Sequence, residues 1–140
     1  MSGLSKLERL DAYLIRPADF APLANLKNLS ILYLFGTGIT DLRVLAGLTK
    51  MQQLFLFNNP GITDLSPLSG MTLLTDLSLA NCSIFDIRPL VANSGLGLGD
   101  VIDLKNNSLT AANCSDLKTL VSRGATVFFT PQRTGVLTCP

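Results

Sequence analysis

Histidine and tryptophan are absent from this chain of 140 residues. Without histidine there is no His-based catalytic triad, no HExxH zinc motif and no imidazole-ligated metal site. Without tryptophan a sugar-stacking platform is a poor expectation. Charge is sparse and balanced, with 11 basic and 10 acidic residues and a net charge of +1. No basic run appears, which argues against nucleic acid and anionic membrane as partners. Cysteine occurs at three dispersed positions, Cys82, Cys114 and Cys139, too few for a disulfide-framework class or a CxxC metal site. Mean hydropathy is high at +0.39, yet no charge-free apolar run of about 18 residues exists, so no membrane span is expected. The start, MSGLSKLERL, has no apolar core of the kind a signal peptide shows.

The hydrophobicity is instead periodic. Leu26, Leu29, Leu32, Leu34, Ile39, Leu42, Leu45 and Leu48 recur with one residue added as Leu48, Met51, Leu54, Leu56, Ile62, Leu65, Leu68 and Met71. Met71, Leu74, Leu77, Leu79, Ile84, Ile87 and Leu90 return to the first spacing. Backwards, Leu4, Leu7, Leu10, Ala12, Phe20 and Leu23 fall in register, and a stretched copy follows at Ile102, Leu104, Asn107 and Leu109. Each copy reads LxxLxLxxN. The Leu-x-Leu alternation fits a short strand with one buried face. Ile15, Thr37, Asn59, Cys82 and Asn107 occupy the last position, where a polar side chain can bond turn backbone that no sheet partner reaches. Asp19, Asp41, Asp64 and Asp86 precede short apolar-spaced turns, an N-cap signal that proline nearby supports. Capping accounts for this acidic column without a calcium ladder.

These repeats resemble the leucine-rich repeat family, specifically the 22-residue class of bacterial internalin-like proteins; the segment GITDLSPLSGMTLLTDLSLANCSIFDIRPL carries the pattern. The first copy departs from it at Ala12 and Ile15. The resemblance implies an α/β right-handed solenoid, with a parallel concave sheet and short 3₁₀ or α segments on the convex side. It also implies protein–protein recognition, and favours a secreted or cell-surface location. The expected organisation is one domain over 1–140, with about five repeats over 4–110, a helix-strand cap over 111–130 and a tail over 131–140. The helix is expected from Ser115 to about Arg123, with Gly124 as its C′ residue. Cys114 and Cys139 read as two free thiols; the alternative is a bridge between them, which would close this unit and add roughly 3 kcal/mol. Cys82 reads as a buried repeat residue. The glycine-rich GLGLGD, 95–100, is no phosphate-binding motif and reads as a flexible loop. Sequons begin at Asn81, Asn106 and Asn113 and carry little weight in a bacterial-type chain.

Side chains flanking the strand leucines should point out of the concave sheet. One such column is Asp11, Tyr33, Phe55, Ser78, Asp103; the next is Tyr13, Phe35, Phe57, Ala80, Lys105; a third is Arg9, Ile31, Gln53, Asp76, Val101. Strands about 4.8 Å apart would stack Tyr13, Phe35 and Phe57. The candidate ligand-binding surface is therefore Tyr13, Ile31, Tyr33, Phe35, Gln53, Phe55, Phe57, Asp76, Ser78, Asp103 and Lys105, apolar over the first three coils and polar beyond. No catalytic residue, cofactor or metal is expected. The leading reading is a non-catalytic module that binds a protein or peptide on this face. The alternative is a structural or self-assembling solenoid, a homodimer through the aromatic face or through an uncapped first coil, or a fragment of a larger surface protein.

Overall fold

The computed structural model describes residues 2–133 and 135–139. They form one parallel sheet of three-residue strands in chain order: β1 (Arg9–Asp11), β2 (Ile31–Tyr33), β3 (Gln53–Phe55), β4 (Asp76–Ser78), β5 (Val101–Asp103) and β6 (Thr126–Phe128). The register places Leu10, Leu32, Leu54, Leu77, Ile102 and Val127 in one row. That row faces inward, and its middle members are fully buried. One residue past each strand, Leu34, Leu56, Leu79 and Leu104 are buried beside it. The chain then turns and crosses behind the sheet through 3₁₀ segments at Ala21–Asn25, Leu42–Leu45 and Ser66–Leu68, and through helix α1 (Arg88–Ala92). Leu42, Leu45, Leu65, Leu68, Ile87 and Leu90 close the core from that side. The result is a leucine-rich repeat solenoid. Burying a Leu side chain fully is worth about 1.5–3 kcal/mol, so the continuous leucine rows supply most of the driving force.

From β2 onward the turn after the strand is fastened by the last position of the LxxLxLxxN pattern, which in the first copy is the exposed Ile15. Asn59 Nδ2 donates to the carbonyls of Leu56 (2.7 Å) and Leu34 (2.9 Å), and its Oδ1 accepts from Gly38 N. Asn107 does the same with Leu104, Leu79 and Ile84 N. Cys82 reaches Leu56 O at 3.5 Å through its thiol, and burial raises that thiol to about 11. Asn59, Cys82 and Asn107 thus each tie their own coil to the one before it. Among the described residues no buried side-chain polar atom lacks a partner.

The acidic column performs backbone capping, one residue earlier than a standard N-cap in most copies. Asp19, Asp64 and Asp86 accept from the amides of Ala21, Ser66 and Arg88, while Asp41 is itself the N-cap residue and accepts from Arg43 N. Arg43 and Arg88 also chelate the carboxylates of Asp41 and Asp86. These hydrogen bonds hold both acids at about 2.

The GLGLGD segment differs from the flexible loop expected. Leu96 is buried, Asp100 accepts from Gly97 N at 2.7 Å, and a Cβ on Gly95 would lie 2.0 Å from Thr72 O. The insertion is packed against the preceding coil, and glycine permits that approach.

At the far end a 3₁₀ turn (Ala111–Asn113) leads into α2 (Cys114–Ser122), one residue earlier than the sequence predicts. Asn113, a sequon residue, is buried in a capping box with Thr110. Gly124, at φ 97°, ends the helix and returns the chain to β6. Cys114 and Cys139 are disulfide-bonded, with Cα atoms 5.3 Å apart. Gln132, three residues beyond Phe129, supplies a further fastening residue: its amide donates to the carbonyls of Leu104 (3.1 Å) and Phe129, and its Oε1 accepts from Leu109 N.

Candidate functional site

The residues between and beside the buried row stand on the open face of the sheet. The strand register aligns Arg9, Ile31, Gln53, Asp76, Val101 and Thr126 as one column and Asp11, Tyr33, Phe55, Ser78, Asp103 and Phe128 as the next. A third column lies where the chain leaves the strands. There the Tyr13 and Phe35 rings stack at 4.7 Å, and Phe35 and Phe57 at 4.4 Å, nearly coplanar in both cases. Tyr33 and Phe55 stack at 4.5 Å in the middle column. Two adjacent aromatic ladders therefore cover β1 to β3. Parallel strands hold equivalent side chains in register, so each ring meets its neighbour face on.

Stacking also limits exposure. Tyr13, first in its ladder, is 47% exposed, whereas Tyr33, Phe35, Phe55 and Phe57 are half-buried against each other. Ile31, Gln53, Asp76, Ser78, Asp103 and Lys105 are half-buried on the same face.

The far half of the face is polar. Gln53 Nε2 donates to Asp76 at 3.2 Å, and Thr75 Oγ1 donates to the same carboxylate at 2.8 Å. Lys105 sits 3.6 Å from Asp103 and 5.4 Å from the Phe128 ring centroid. At the opposite edge Arg9 forms a two-point pair with Asp11 and lies 5.0 Å from the Tyr33 ring centroid. Asp11 is the largest cause of the raised Arg9 guanidinium. A groove crosses the polar half, lined by Phe55, Phe57, Asp76, Ser78, Asp103 and Phe128 among others.

The eleven candidate residues thus lie on one face of one sheet. Two contributors were missed in the sequence. Phe128 extends the middle column to a sixth strand; aligning Val127 with Ile102 would have found it. Arg9 stood in its column, but its closure over Tyr33 depends on side-chain geometry. Chemically the face offers aromatic surface, carboxylates and one lysine. Among the described residues no group of three or more Cys, Asp and Glu could hold a metal ion, and no helix is long and apolar enough to cross a membrane.

A family model for leucine-rich repeats, two copies, matches residues 27–70. Among solved structures the chain is similar to an internalin (inlF) of Listeria monocytogenes strain 4b F2365. They share 34% identity over 84% of this chain and 33% of that one, with a TM-score of 0.71. It is also similar to internalin C2 (inlC2) of the same strain, at 19% identity and a TM-score of 0.49, covering 92% of this chain and 83% of that one. This chain therefore spans about a third of the length of the first. No curated protein sequence matches it significantly.

Proposed function

We propose, from the premise that this chain is an internalin-like leucine-rich repeat protein, that it is a non-catalytic recognition module whose open, concave sheet face binds a protein or peptide. Leucine-rich repeats commonly serve protein interaction, and the choice of face rests on this chain's own side chains. The observation that carries it is the pair of aromatic ladders, Tyr13–Phe35–Phe57 and Tyr33–Phe55. One stacked column is explained by cross-strand pairing alone, worth a few tenths to about 1 kcal/mol per pair. Two adjacent columns at the surface form a contiguous apolar patch of the kind that marks an interface. Binding would bury an apolar epitope over Tyr13, Tyr33, Phe35, Phe55 and Phe57. Gln53, Asp76, Ser78, Asp103 and Lys105 would orient it.

The test is peptide-display selection on the wild-type chain, followed by affinity measurement with Phe35→Ala/Phe57→Ala. The expected loss is about 2 kcal/mol, roughly thirtyfold, because buried aromatics dominate such interfaces. Equal affinity for both proteins would place the epitope elsewhere.

A further inference from the structure

Three aspartates stand on the open face, and each lies beside a ring. Asp11 lies next to Tyr33, and Arg9 fills that niche: its guanidinium is paired with the carboxylate and sits over the ring. Asp103 lies next to Phe128, and Lys105 fills that niche in the same manner. Asp76 lies diagonally from Phe55, and both line the groove. Here no cation among the described residues pairs with the carboxylate. Both hydrogen bonds to the Asp76 carboxylate come from neutral donors, Gln53 and Thr75, and both fall on Oδ2. Its Oδ1 has no partner among the described residues.

The shape of the niche selects its occupant further. Ser78 follows Asp76 along the strand row and is small, flanked by Phe55 on β3 and Asp103 on β5. Two residues of strand span about 7 Å, enough for an extended aliphatic stem to lie over Ser78 while its head reaches Asp76. A planar guanidinium can donate to the carboxylate and at the same time lie over a ring face, as Arg9 does in this protein. Lys105, held near the other side of the groove, disfavours a second cation there.

We propose that the groove over β4 receives an arginine side chain of a protein partner, its guanidinium on Asp76 and its stem across Ser78 beside Phe55. This rests on the reading of the open face as the binding surface and adds the partner's charge chemistry to it.

The probe is N-acetyl-arginine methylamide, titrated into the full ¹⁵N-labelled chain, with the citrulline analogue as its neutral counterpart. Saturable shifts of the Asp76, Ser78 and Val101 amides are expected in the millimolar range, about fivefold weaker for citrulline. Asp76→Asn should weaken arginine binding by about fivefold, and Phe55→Leu should weaken it by less. The unperturbed remainder of each spectrum reports that the variant is folded. Shifts that are absent, equal for the two probes, or unchanged in both variants would overturn the assignment. Binding by the niche in a protein whose selected peptides ignore Phe35→Ala/Phe57→Ala would sink the aromatic-face reading alone; the reverse result would sink the niche alone.

Discussion

Leu14, two residues past Ala12, occupies a left-handed position with φ 57°. The equivalent residues in later coils are Gly36, Asn58, Asn81 and Asn106, all with positive φ. Leucine pays a steric cost there of about 1 kcal/mol or more, which asparagine largely avoids. Its side chain is 69% exposed, so little packing offsets that cost. Leu14→Asn should therefore raise stability by about 0.5–1 kcal/mol, read as a higher urea midpoint at unchanged m-value. The opposite sign is expected at Asn59, which is fully buried and makes three hydrogen bonds to backbone. Asn59→Ala strips the Gly38 amide of its partner and leaves the carbonyls of Leu34 and Leu56 to Thr37 Oγ1 and the weak Cys82 thiol, and should cost about 2 kcal/mol. The same denaturation series checks both.

At the scale of the element, the acid caps give the fold a pH signature. Asp41 and Asp86 are lowered to about 2 in the folded chain, chiefly by Arg43 and Arg88, from 3.8. A lowered folded-state value means the stabilisation is fully present above pH 4 and is lost as pH falls towards 2. Both pairs are solvent-exposed, so the effect should be modest and should shrink in high salt. A thermal melt series between pH 5 and pH 2 should show a downward slope that flattens in Asp41→Asn/Asp86→Asn. The terminal unit behaves differently. Replacing both Cys114 and Cys139 by serine opens a 25-residue separation and should cost about 3 kcal/mol by loop entropy, measured by chemical denaturation under non-reducing conditions. Much of this level was legible in the sequence. Leucine spacing gave strand row, register and the two aromatic columns, because in a parallel repeat a fixed period is a fixed spatial neighbour. The packed insertion at Gly95 and the fastening role of Gln132 were not. One depends on where Thr72 lies, and the other uses a residue type outside the Asn, Thr and Cys pattern. The closure of Arg9 over Tyr33, and the empty oxygen of Asp76, likewise belong to rotamers rather than to spacing.

For the whole molecule, the decisive quantity is how many copies share the aromatic face. Light scattering across a concentration series should give a monomer mass of 15.0 kDa. A dimer that dissociates in Phe35→Ala/Phe57→Ala would mean the ladders are occupied by a second copy. The stacking of coils also has an order in time. Asn59 holds Leu34 O from 25 residues downstream, Cys82 holds Leu56 O from 26, Asn107 holds Leu79 O from 28, and Gln132 holds Leu104 O from 28. Thr37 reaches the carbonyl of its own coil, Leu34 O, and Asn59 Oδ1, with no clasp back to the first coil. A chain leaving the ribosome N-terminus first would therefore close each turn one repeat late, with its newest coil always unclasped. The turn after Leu104 waits for Gln132, and the helix behind it for the bridge from Cys114 to Cys139, so each closure trails the coil it closes by about a full repeat.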